Sequence, residues 1–106
     1  MIFEVVTGQI LLNRRNDFFE LHSRFLLPIM KEIGIKPKML LITDIGSYLR
    51  FLDIYEYGDL AEYGLLSNKL ANDERLIPYY EKVGPCIHGG ISIEIMSELP
   101  YAGDWR

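Results

Sequence analysis

A single cysteine, Cys86, stands among the 106 residues of this sequence. One thiol excludes an internal disulfide and a cysteine-rich zinc site, and with them the stapled architectures of small secreted domains. Basic residues are also few: 11 Lys and Arg against 15 Asp and Glu leave a formal charge of -4. They are scattered, with Arg14-Arg15 the only adjacent arginines. Nucleic acid and anionic membranes both recruit a concentrated basic face, so neither is an expected partner. Long apolar runs are missing as well. Phe25–Met30 falls far short of the roughly 20 residues that cross a bilayer. Met1–Gln9 has no basic start and Glu4 interrupts its apolar run, so no signal peptide is expected. Walker, HExxH and nucleophile-elbow patterns are absent, and Gly89-Gly90 precedes a strand pattern rather than the helix of a phosphate loop. The expectation is a soluble, cytoplasmic chain with no cofactor and no metal.

What remains is the composition of an ordinary globular protein, 49% hydrophobic and 25% charged. The length suits one domain, residues 1–98, followed by an irregular tail, 99–106. Ile2–Thr7 is a short β-branched and aromatic run closed by Gly8, which predicts a strand. From Asn16 to Ile33 the period changes. Phe18, Leu21, Phe25, Ile29 and Ile33 recur at three and four, as on the buried stripe of a helix, and Gly34 follows as a left-handed terminator. Pro28 inside this pattern predicts a kink or a split. A second strand is expected over Lys38–Ile45, a tight turn over Ile45–Tyr48 and a third strand over Leu49–Tyr57. Asp59 and Glu62 then form the start of a capped helix. That helix breaks near Asn72-Asp73 and resumes over Glu74–Val83. The fourth strand, Ile87–Met96, places Ile87, Ile91, Ile93 and Ile95 on one side and His88, Ser92 and Glu94 on the other. The order β-α-β-β-α-β is that of an α+β, ferredoxin-like fold with a four-stranded antiparallel sheet.

Such a domain carries both helices on one face of its sheet and must cover the other. The second and third strands are apolar on both parities. The expected open face holds Phe51, Tyr55, Tyr57 and two aliphatics of the second strand. Leaving such a cluster wet forfeits roughly 1.5–3 kcal/mol per aromatic, which predicts a homodimer formed face to face.

These residues carry a family likeness over about Phe3 to Met96. It rests on Phe3-Glu4, on Leu26-Leu27-Pro28 before Gly34, and on Gly46 with Tyr57-Gly58-Asp59-Leu60-Ala61-Glu62. Leu70, Asp73 and the stretch from Tyr79-Tyr80 to Pro85 complete the pattern. In this the chain resembles the NIPSNAP family of the dimeric α/β-barrel superfamily. The resemblance implies two ferredoxin-like sheets paired into a barrel, with a cavity in each subunit. Relatives include cofactor-independent monooxygenases, isomerases and haem-degrading enzymes, whereas the NIPSNAP branch has no established reaction. The family's third strand places a histidine and an aromatic toward the cavity, where this chain has Asp53 and Tyr55. Its first-strand arginine corresponds to Val6, so mechanisms relying on those groups do not transfer.

Asp53 is the sharpest candidate residue, catalytic if the protein is an enzyme. An acid withdrawn from water among aromatics on the barrel wall would serve as a general base; a solvated acid near a cavity mouth, or one hydrogen-bonded to a neighbouring tyrosine, is the rival reading. Glu4, on the neighbouring strand, is a second cavity acid or one arm of a structural ion pair. Phe51, Tyr55, Tyr57 and Ser92 complete the expected cavity lining, suited to a small apolar ligand. His88 reads as a strand-end residue. His22 has no Asp, Glu, Cys or His three or four residues away and reads as a helix-surface or boundary residue. Cys86 reads as structural. Three functions follow: a ligand-binding dimer, a cofactor-independent oxygenase or isomerase, or an interaction module whose interior is filled by its own side chains. A cavity of roughly 300 Å3 or more would favour the first two, and a filled interior the third.

Overall fold

A computed structural model describes all residues, Met1–Arg106. Strands β1 (Ile2–Ile10), β2 (Lys36–Ile42), β3 (Arg50–Tyr57) and β4 (Ile87–Ser97) form one antiparallel sheet in the order β2-β3-β1-β4. Helices α1 (Arg15–Leu21) and α2 (Leu27–Ile33) connect β1 to β2. Helices α3 (Leu60–Ala71) and α4 (Leu76–Val83) connect β3 to β4. This is the α+β, ferredoxin-like arrangement expected. No helix is long and apolar enough to cross a membrane.

The register determines which side chains share a face. Glu4 pairs with Tyr55 and Ile95, Val6 with Asp53 and Ile93, and Gly8 with Phe51 and Ile91. All of these lie on the helix side. Phe51 packs with Phe18, Ile29, Leu76, Tyr79 and Val83, while Tyr55 and Tyr57 pack with Met30, Ile35 and Leu66. The expected open face is therefore corrected. Phe51, Tyr55 and Tyr57 are buried within one subunit, beneath its helices. The face left open carries Phe3, Val5, Met39, Leu41, Leu52, Ile54 and Met96. Apolar residues on both parities reveal that both faces are greasy but not which one the helices cover. The bulkier parity lies under the helices, where it buries most.

Other differences are local. The β2–β3 connection is longer than a tight turn: β2 ends at Ile42, and Leu49 at φ 64° closes the loop by donating its N–H to the Thr43 carbonyl. A two-residue insertion in β4 shifts the register between Gly8 and Gln9, so that Gln9 faces His88 and Ile10 faces Ile87. Gly89 and Gly90 accommodate it at φ 74° and 80°, a region costly to other residues. Asp59 caps α3, accepting from the Glu62 N–H at 2.8 Å. Glu62 reaches back one residue further than a standard capping box, accepting from Gly58 N–H at 2.8 Å. The tail forms a short 3-10 turn, Ala102–Trp105.

The largest departure lies in the first helical segment. His22–Leu26 is a π turn in which the Leu27 N–H donates to the His22 carbonyl five residues back. Pro28 has no N–H for the Arg24 carbonyl, and the ladder slips by one residue just before it. This wider turn brings Leu26 inward in place of Phe25, while Phe18, Leu21, Ile29 and Ile33 keep their expected core positions. Phe18, His22, Leu26 and Met30, spaced by four, face the sheet together, and Phe25 is turned out to 47% exposure.

Candidate functional site

Between the sheet and the helices lies a cavity of about 180 Å3. Strands β1 and β3 supply Glu4, Val6, Phe51, Asp53 and Tyr55, and the π-turn stripe supplies Phe18, His22, Leu26 and Met30. Tyr79 and Tyr80 close it from α4, while Ile91 and Ile93 form its β4 wall. No helix covers β4, so those two isoleucines are 52% and 53% exposed and the cavity is open on that side. A second cavity of about 160 Å3 lies toward β2, among Leu40, Leu41, Ile42 and Phe19. Phe18, His22, Phe51 and Asp53 line both, forming the partition between them. The interior is not filled by its own side chains. The void between sheet and helices is smaller than the roughly 300 Å3 of a drug-sized pocket, yet larger than a cavity of about 150 Å3 that takes up benzene.

Asp53 is the centre of the polar geometry. It is 4% exposed. One of its oxygens, Oδ2, accepts from the Tyr55 hydroxyl at 2.9 Å and contacts His22 Nε2 at 2.7 Å, where the imidazole N–H is the donor. Its other oxygen, Oδ1, accepts nothing from the protein. No polar side-chain atom that is fully sealed off lacks a partner. Oδ1 is therefore not fully sealed off, on a residue that lines both voids. His22 Nδ1 likewise has no protein partner. The Phe18 ring lies against the imidazole with centroids 5.3 Å apart and planes within 16°, and packs 4.9 Å from Phe51. Gly8 makes room for this stack. A Cβ there would stand 2.6 Å from the Phe51 ring.

Glu4 is the second acid. Its Oε2 accepts from the Tyr63 hydroxyl at 3.0 Å, and no arginine or lysine pairs with it. Burial pushes the Glu4 carboxyl above its usual range, against the opposing effect of the Tyr63 hydrogen bond. Burial also raises the Tyr55 hydroxyl, helped by the negative charge of Asp53, and raises Tyr79 and Tyr80. All three stay protonated at neutral pH, and Tyr55 donates its proton to the hydrogen bond with Asp53.

Of the residues that the sequence groups as cavity lining, Glu4, Phe51, Asp53 and Tyr55 meet around the void between sheet and helices. Tyr57 shares their face but packs against Tyr63 with ring centroids 5.1 Å apart, outside the void. Ser92 is a correction: it pairs with Thr7 and projects from the opposite face. His22 is the cavity-lining residue that the sequence conceals. Its sequence neighbours hold no ligand or base, and its Asp53 partner is 31 residues away. The one local signal for it is its place four residues after Phe18, one regular helical turn along the same inward face. Arg50 and His88 are exposed and outside the site. Cys86 is buried, its thiol raised by that burial, as a structural role requires.

No family model matches the sequence, and no curated protein matches it. Solved structures do match its fold. A NIPSNAP domain protein from Burkholderia xenovorans superposes with a TM-score of 0.82 at 15% identity, covering 95% of this chain and 97% of that one. A NIPSNAP family protein from Agrobacterium tumefaciens gives a TM-score of 0.82 at 20% identity, covering 94% of each chain. A Nitrosomonas europaea protein whose name assigns it to the antibiotic biosynthesis monooxygenases gives 0.70 at 13%, covering 93% of this chain and 99% of that one. At these identities the likeness is one of fold: the chain has the ferredoxin-like fold that NIPSNAP and antibiotic monooxygenase structures share.

Proposed function

We propose that this chain is a NIPSNAP-like homodimeric protein that binds a small, largely apolar molecule in the cavity between its sheet and helices. One observation carries the reading: a largely apolar void of single-ring size with a buried acid on its wall, Asp53, whose Oδ1 is left free. Apolar walls supply affinity, and a few convergent polar atoms supply orientation. The apolar open face supports dimerisation, with Leu52, Ile54, Val5 and Phe3 at its centre. The working location is the cytoplasm.

Native mass spectrometry of freshly purified protein tests both parts. A dimer mass with a retained small molecule is the expected result, and Asp53→Ala should release that molecule or weaken its binding. A monomer at micromolar concentration would remove the dimer. An unaltered affinity in Asp53→Ala would remove Asp53 from the site.

The His22–Asp53 pair favours a second reading, a cofactor-independent oxygenase or isomerase. With Nε2–H committed to Asp53, the free Nδ1 lone pair of His22 is the proton acceptor, and Asp53 stabilises the imidazolium that results. The donor would be a phenol or an acidic C–H of the ligand. In this version Asp53 changes from proton acceptor to positioning residue. Turnover should be abolished in His22→Gln and reduced in Asp53→Asn.

A further inference from the structure

We propose that the ligand of this cavity is a protonated primary amine on an apolar body of about one ring. The inference rests on the ligand-binding reading above and names the chemistry of what is bound.

The lining is one-sided in charge. Two carboxylates, Glu4 and Asp53, face the void, and neither lysine nor arginine lines it. His22 is the one group there able to carry a positive charge, and its Nε2 is already spent on Asp53. An entering carboxylate or phosphate would thus meet two acids and no free cation. An ammonium meets the opposite conditions. Asp53 Oδ1 has no protein donor although Asp53 is buried, so one acceptor is waiting on the wall. Glu4 uses only Oε2, for Tyr63, which leaves Oε1 as a second acceptor. In the β1–β3 register Glu4 stands opposite Tyr55 and Val6 opposite Asp53, so the two acids are diagonal neighbours on one face. Diagonal side chains on adjacent strands sit within about 7–8 Å, a span that one three-donor ammonium bridges.

The remaining walls suit the rest of such a molecule. Phe18, Phe51, Tyr55, Tyr79 and Tyr80 surround the void, and ring faces attract a cation as well as an aromatic body. The negative field of the two acids reaches across it. Glu4 contributes to raising Tyr80, and Asp53 contributes to raising Tyr55 and Tyr79. Burial works against the charge on Glu4, and an ammonium beside it would offset that cost.

Three probes of similar size and different charge test this: 2-phenylethylamine, 2-phenylethanol and phenylacetate, titrated at pH 7 into the full chain by calorimetry, with ring-proton NMR as a second readout. The expected order is amine first, at least about tenfold tighter than the alcohol, with phenylacetate last or undetectable. Asp53→Asn and Glu4→Gln should each narrow the gap between amine and alcohol while leaving the alcohol's affinity nearly unchanged. Binding of the alcohol or the acid as tightly as the amine overturns the charge assignment and leaves the cavity reading intact. Absence of binding by all three at millimolar concentration overturns both. If Asp53→Asn does not fold, the probe order on the unaltered chain together with Glu4→Gln still separates these outcomes.

Discussion

His22 and Asp53, 31 residues apart in sequence, meet at 2.7 Å between Nε2 and Oδ2, in the wall that separates two apolar voids. Both side chains are withdrawn from water, at 13% and 6% exposure, so the contact is far less screened than a surface ion pair. The pair should therefore behave as an energetic unit. His22→Ala and Asp53→Ala are each expected to cost about 1–3 kcal/mol, and the double variant less than the sum by at least about 0.5 kcal/mol. Urea unfolding of the four proteins measures this. Strict additivity would mean that the contact contributes nothing to folding.

Tyr55 donates to the same Oδ2 at 2.9 Å, within the buried core. Tyr55→Phe keeps the ring in place among Met30, Ile35 and Leu66 and removes only the hydroxyl. A buried hydrogen bond to a charged group is worth about 1.5–3 kcal/mol, so the urea midpoint should fall with an unchanged slope. A variant as stable as the parent would show that His22 alone satisfies Oδ2.

The order of elements was legible because helix and strand periods, Gly34 and the Asp59 cap are local signals. Asp53 was legible too, as an acid amid aromatics on one strand parity. The side on which that parity lies was not. Leu52 and Ile54 are nearly as apolar as Phe51 and Tyr55, so only the docking of the helices tells the faces apart. The same ambiguity misplaced Ser92. His22 was illegible for a different reason. It stands one regular turn beyond Phe18, beside a stripe whose Phe18, Leu21, Ile29 and Ile33 do pack in the core, and its only polar partner lies on a distant strand; the π turn before Pro28 adds a separate change, bringing Leu26 inward in place of Phe25.

Glu4 gives a pH dependence whose sign follows from its direction of shift. Burial raises its folded-state pKa above the ordinary value of 4.5, so the folded chain holds the proton more tightly than the unfolded chain. The neutral acid thus costs the fold nothing at low pH, and a penalty develops as pH rises through the raised folded value. Glu4→Gln keeps an acceptor for Tyr63 and cannot ionise. Its melting temperature should exceed that of the parent at pH 7, and the difference should vanish below about pH 4.5. A difference that grows toward low pH would reverse the assignment.

Gly8 tests the packing that holds the His22 partition. A Cβ there would lie 2.6 Å and 2.9 Å from two atoms of the Phe51 ring and 3.2 Å from Ile91. Phe51 is buried against Phe18 and cannot yield cheaply. Gly8→Ala should cost about 1–3 kcal/mol through overpacking. Adding Phe51→Leu should recover part of that loss, since the smaller side chain vacates the clash. Thermal melts of both variants check it, and failure of the second substitution to recover anything would move the strain elsewhere.

The open face supplies the last test. Leu52 and Ile54 point away from the helices, beside Val5 and Thr7 of β1 and Leu41 and Met39 of β2, and their exposure is intermediate. Sheets seldom leave such a surface to water, because contiguous apolar patches beyond a few hundred Å2 are rare on monomers. A charge at its centre would be desolvated in a face-to-face dimer and indifferent in a monomer. Ile54→Asp should therefore convert the sedimenting species from about twice the 12.3 kDa chain mass to the chain mass itself, with the helical circular dichroism retained. The same substitution should leave the His22–Asp53 wall unaltered, since Ile54 projects from the other side of the sheet. An Ile54→Asp protein that still sediments as a dimer would place the interface elsewhere, with the bare β4 isoleucines, Ile91 and Ile93, as the next surface to charge.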